Sequence, residues 1–141
     1  VKGTVLWYAK TAVDNIGNYG TMLQNKYWKT PALQPLMPFI DSKAPKKPRK
    51  VKVVWTSDGP VLFWTAPKAK KWDDEATKYV VYRFLDNEPL DTDNPSKIIT
   101  ITSSTMLPLP YNGGNKKYVY VVTALDRMSN ESRIVKKKVN L

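Results

Sequence analysis

The chain has 141 residues, 42% of them apolar, which is enough for one domain with a real core and argues against wholesale disorder. Cysteine and histidine are both absent, which excludes disulfides, thiolate metal sites and the commonest general base at neutral pH. The net charge of +11 is uneven: residues 1–50 carry nine basic and two acidic groups, residues 51–141 fourteen and ten.

Taken in order, "VKGTVLWYAK" holds a compact apolar run, Val5 to Ala9, that predicts a buried strand. "TMLQNKYW", Thr21 to Trp28, places Met22, Leu23, Lys26 and Tyr27 near helical spacing and predicts a short helix, with Thr21 as its N-cap. Pro31, Pro35 and Pro38 make the next stretch an extended, irregular ribbon. These elements are too few to bury a core alone and look like the end of something larger. No initiator Met or signal-peptide pattern is present, so the chain is expected to be a fragment or a processed product.

"SKAPKKPRKVK", Ser42 to Lys52, combines prolines with like charges. It predicts a basic linker, or alternatively a surface that meets nucleic acid or acidic glycans. Beyond it, short strands alternate with turns. "VKVVWT" alternates on Val51, Val53 and Trp55, and Asp58-Gly59 marks a turn. "PVLFWTAP" sets Leu62 and Trp64 on one face, "WDDEA" is a polar loop, and "KYVVYRFL" (78–85) is strongly β-forming. "SKIITIT" (96–102) is a further strand, and "TMLPLPY" is extended but broken by proline, as suits a sheet edge. After the "NGGN" turn come "KKYVYVVTAL" and finally "SRIVKKKVNL".

Seven short β segments without helical period predict a mainly β, antiparallel, two-sheet sandwich. In "KKYVYVVTALDRMSNES", Tyr120, Val122 and Ala124 face one way, as core, and Tyr118 stands where the strand begins. A tyrosine there can return its hydroxyl to the upstream chain, as in the tyrosine corner of immunoglobulin-like sandwiches. The predicted core is Leu62, Trp64, Tyr79, Val81, Tyr118, Tyr120, Val122 and Ala124.

On "VLFWTAP", "YVVYRF" and "YVYVVTALDRMSNES", residues from about 51 to 141 resemble a fibronectin type III domain. "GTVLWYAKTAVDN" and "GTMLQNKYWKTPALQPLMPFID" are similar to the closing segment of the TIM barrel in glycosyl-hydrolase-like family ten proteins, with Trp7-Tyr8 and Phe39 as aromatic departures. The resemblance implies three parts: 1–42 as a barrel remnant, 43–50 as the basic linker, and 51–141 as a fibronectin type III-like sandwich. It further implies a bacterial secreted or cell-envelope parent that is a glycoside hydrolase. The catalytic barrel of that parent would be the partner, and residues 1–40 without it should dock elsewhere or mediate self-association.

The chain offers no catalytic set of its own. A glycosidase needs two carboxyl groups about 5–9.5 Å apart across the scissile bond. "VLWYAK" has none, and Asp14 is better placed to cap a turn than to reach a barrel mouth. Asp73, Asp74 and Glu75, like Asp86, Glu88, Asp91 and Asp93, invite calcium but match no EF-hand spacing, so no metal or cofactor is expected. Serine and threonine lack an activating base, and Gly113-Gly114 opens a strand rather than a phosphate-binding helix.

The expected function is therefore a non-catalytic accessory domain, packing against or spacing the barrel. The alternative is a carbohydrate-binding module that stacks sugars on exposed aromatics: Trp72 in its polar loop first, then Trp55 and Tyr111. Against this stands a Trp72 ring lying flat on the sandwich edge. Lys46, Lys47, Arg49, Lys50 and the Lys136–Lys138 run supply only sequence-blind, salt-sensitive charge, so nucleic acid is not an expected partner. No run is long and apolar enough to span a membrane.

Overall fold

A computed structural model describes Val5 and residues 8–141. Leu6 and Trp7 of the predicted first strand, Val5 to Ala9, lie outside the described residues. Its described members, Val5 (92% exposed), Tyr8 and Ala9, are exposed and not in a strand.

The N-terminal segment forms α1 (Lys10–Val13), a 3-10 turn (Ile16–Asn18) and α2 (Tyr19–Met22), which runs on into a π turn, Leu23–Tyr27. The helix predicted from Thr21 is thus present but starts two residues earlier. Thr21 is inside it, not at its N-cap. Asn15 instead receives the Thr21 amide on its Oδ1 at 2.9 Å, and the left-handed Asn15, Gly17 and Asn18 turn the chain back on itself. Gly20 is required by this turn, because a Cβ there would lie 2.3 Å from the Ala12 carbonyl oxygen.

Seven strands follow. β1 (Arg49–Thr56), β2 (Gly59–Thr65) and β5 (Met106–Pro108) form one antiparallel sheet, in the order β1-β2-β5. β3 (Lys78–Leu85), β4 (Ile98–Thr102), β6 (Lys117–Leu125) and β7 (Val135–Asn140) form the other, in the order β4-β3-β6-β7. β1 begins at Arg49, two residues before the alternation suggested, and a bulge with Lys50 at positive φ interrupts its register with β2. The proline-broken β5 is short and lies at a sheet edge, where missing donors cost no ladder bonds.

Between the sheets lie Leu62, Trp64, Tyr79, Val81, Leu109, Tyr120, Val122, Ala124 and Leu141. Tyr118 is only half-buried beside them. Its hydroxyl has no described hydrogen bond upstream. The ring instead packs edge-on to Tyr120 and carries the Arg83 guanidinium 5.1 Å from its centroid. The tyrosine-corner expectation is therefore replaced by a ring held by an aromatic neighbour and a cation.

A second apolar cluster lies on the opposite face of the four-stranded sheet: Val80, Tyr82, Phe84, Ile98, Val119, Val121 and Leu125. β3 and β6 are thus buried on both sides, which explains why "YVVY" and "VYVV" are unbroken apolar runs rather than clean alternations. Leu33 from the proline-rich ribbon and Leu90 from the β3–β4 connection pack against this outer face.

Polar contacts hold the ribbon in place. Asp126 organises the β6–β7 turn, its Oδ1 accepting from the Met128 and Asn130 amides at 2.8 and 2.9 Å. From that turn Asn130 Nδ2 donates to the Asp41 carbonyl at 3.3 Å, and Ser129 Oγ donates to Gln34 Oε1 at 3.4 Å. Lys43 pairs with Asp74. The basic stretch that follows is not fully solvated: Pro45 and Pro48 are buried, while Lys46 and Lys47 between them are exposed.

Candidate functional site

The three aromatic candidates do not form one platform. Trp55 sits beside the β1–β2 turn, where it pairs with Pro60. Its ring meets that of Tyr111 edge-on, centroids 5.1 Å apart, and the two are 56% and 55% exposed. Trp72 lies in the β2–β3 connection, at the other end of β2 and hence of the sandwich. It is 71% exposed, so it does not lie flat on the sandwich edge. One of its faces carries the Arg127 guanidinium at 4.0 Å, which fixes the ring and leaves the other face open.

The end of the sandwich that bears Trp72 is also where positive charge converges. The start of β1, the β2–β3 connection and the β6–β7 connection meet there around a cavity of about 720 Å³. Lys46, Lys47, Arg49, Lys68 and Arg133 line it, with Pro45 and Pro67 as buried walls. Arg49 is oriented by the Ala66 carbonyl, which accepts from its Nε and Nη2 at 3.4 and 3.2 Å. Composition made this basic stretch visible, but residues from three separate connections only meet once the strands pair.

Glu131 also lines that cavity. Its Oε1 accepts from the Tyr82 hydroxyl at 2.7 Å and the Thr123 hydroxyl at 2.6 Å. Burial first, and this bond second, push the Tyr82 hydroxyl far above the ordinary tyrosine range.

The acidic candidates are dispersed. Asp74 is engaged by Lys43, Asp86 by Lys138 and Glu88 by Lys97, and those lysines hold the Asp86 and Glu88 carboxyls below their ordinary range. Asp14 pairs with Lys10 at 3.9 Å. Among the described residues no three carboxylates gather in a way that would hold a metal ion. Among the described residues no helix is long and apolar enough to cross a membrane.

No family model matches the chain. A glycosyl hydrolase of Bacillus subtilis (strain 168), YngK, is 31% identical over 137 residues, a match covering 97% of this chain and 26% of that protein. The chain therefore spans about a quarter of the length of the curated relative it matches. Among solved structures, an FN3tt mutant aligns with a TM-score of 0.51 at 19% identity, covering 68% of this chain and 94% of that one. The titin kinase with its flanking domains aligns with a TM-score of 0.52 at 20% identity, covering 70% of this chain and 17% of that one. The chain is thus a homologue of part of a glycosyl hydrolase, folded largely as a fibronectin type III-like β-sandwich.

Proposed function

We propose that this chain is a non-catalytic accessory region of a glycoside hydrolase, in which residues 1–42 are the tail of a catalytic barrel and the sandwich packs against or spaces that barrel. The observation that carries this reading is the docking of the proline-rich ribbon on the outer face of the four-stranded sheet, through Leu33, Gln34 and Asp41. A ribbon anchored in this way couples whatever precedes it to the sandwich as a semi-rigid joint rather than a loose tether. Exposed Tyr8, Trp28 and Phe39 supply apolar surface for the barrel to cover. The reading places the parent outside the cell or in its envelope.

Two measurements test it together. The chain alone should release no reducing sugar from a panel of polysaccharides and aryl glycosides. Added to the Bacillus subtilis relative truncated of the matching region, it should raise that protein's Tm. Hydrolysis by the chain that is lost on replacing one of its own carboxylates would overturn the reading.

A second reading, sugar binding on an aromatic face, is favoured by one observation. Trp72 is held on one side by Arg127 and open on the other.

A further inference from the structure

Lys46, Lys47, Arg49, Lys68 and Arg133 surround one cavity, and none of the five makes an ion pair among the described residues. The ion pairs that are present, Lys10–Asp14, Lys43–Asp74, Lys97–Glu88 and Lys138–Asp86, use other lysines. Five like charges gathered around one carboxylate, Glu131, that is already engaged by two hydroxyls repel one another, and an anion bound among them would relieve that repulsion.

The cavity continues sideways. Pro67 and Lys68 also line an adjoining depression bounded by Lys70, Lys71 and Trp72. The two together make a groove with cations along its length and an open tryptophan face at one end. Glu131 and Glu75 are the two carboxylates in its lining, and Glu131 is turned to the Tyr82 and Thr123 hydroxyls.

We propose that this groove binds an anionic glycan chain whose sugars carry carboxylates. The inference rests on the accessory-domain reading and names the class of polymer that the domain would hold. Arginine forks match carboxylates in two-point contact, and lysines along the groove follow successive charges on a polymer. The free face of Trp72 offers a flat apolar surface for the C–H face of a sugar ring, while Pro45 and Pro67 keep the walls smooth. A nucleic acid fits less well. Stacking platforms for bases come as successive aromatics, and this groove has a single ring, at its end.

The test uses polygalacturonate as the acidic probe, with dextran as a neutral polymer and a short oligothymidylate as a nucleic acid. Titration calorimetry should show binding to polygalacturonate, none to dextran, and weaker binding to the oligonucleotide. The affinity should fall by more than about tenfold between about 50 and 200 mM salt. Lys47→Glu/Lys68→Glu should weaken binding at least about tenfold, since two contacts become repulsive. Trp72→Ala should weaken it several-fold without changing the salt dependence. Lys116→Glu/Lys117→Glu, the same charge change at the far end of β6, should leave it within about twofold. All these side chains are exposed, so the variants should keep the thermal transition of the parent chain. An equal loss in the β6 pair, tighter binding to the oligonucleotide, or no binding to polygalacturonate would overturn the groove. None of those outcomes touches the accessory-domain reading, which fails only if the chain hydrolyses glycans or does not stabilise the truncated relative.

Discussion

Tyr82 donates its hydroxyl to Glu131 at 2.7 Å, and Thr123 donates to the same oxygen at 2.6 Å. One carboxylate from the β6–β7 connection therefore satisfies two hydroxyls that are fully buried on the outer face of the sheet. A buried donor left without an acceptor costs about 1–3 kcal/mol. Glu131→Ala orphans two donors, whereas Tyr82→Phe removes one together with its need. Urea unfolding should show Glu131→Ala to be clearly the more destabilising, and equal costs would mean that the carboxylate is not shared.

Alkaline titration tests the same burial. The hydroxyls of Tyr82, Tyr79 and Tyr120 are all pushed up, mainly by burial, with Glu131 adding to the effect at Tyr82 and Glu75 at Tyr79; Arg83 opposes it at Tyr120. Each folded value lies above that of the unfolded chain, near ~10. The stability these groups contribute is thus complete below ~10 and is lost as pH rises through the folded values. Absorbance at the phenolate band should show these three ionising late and together with loss of near-UV circular dichroism. Their reversible ionisation near ~10 in the folded chain would contradict the burial.

Trp64 fills the space between the sheets, its ring edge-on to Tyr79 with centroids 5.6 Å apart. Trp64→Ala should cost about 3–5 kcal/mol in denaturant unfolding, as a large truncation in a closed core. A neutral effect would place the ring outside that core.

In the N-terminal segment Gly20 lets α2 pass the Ala12 carbonyl. Gly20→Ala forces that contact apart and should cost the helical segment about 1–3 kcal/mol. The change should appear as weakened helical circular dichroism and faster proteolysis within residues 10–28, while the sandwich transition is unchanged. Unaltered proteolysis would contradict the close approach.

The sandwich was legible because its signals are local. Alternation placed Leu62 and Trp64 on one face, and the β-branched and aromatic run from Lys78 to Leu85 coincides with β3. Trp55 shows the limit of alternation: it shares parity with Val51 and Val53 but lies beyond the covered part of the sheet, beside the turn, and stays exposed. The buried outer face was not anticipated. Its signal was present in the unbroken apolar runs of β3 and β6, but what covers it, Leu33 and Leu90, comes from segments without periodicity. The cation groove was hidden for a related reason. Ser42–Lys52 announces charge, yet Lys68 and Arg133 join it only through pairing of distant strands.

The accessory role depends most on the ribbon being seated on the sandwich. Nuclear Overhauser contacts between the Leu33 methyl groups and the Val80, Tyr82, Phe84, Val119 and Val121 side chains test this directly. Such contacts, with dispersed shifts for residues 31–42, are predicted by the docking of Leu33 on the outer face. Their absence, with random-coil shifts through the same residues, would mean a flexible tether and would contradict it.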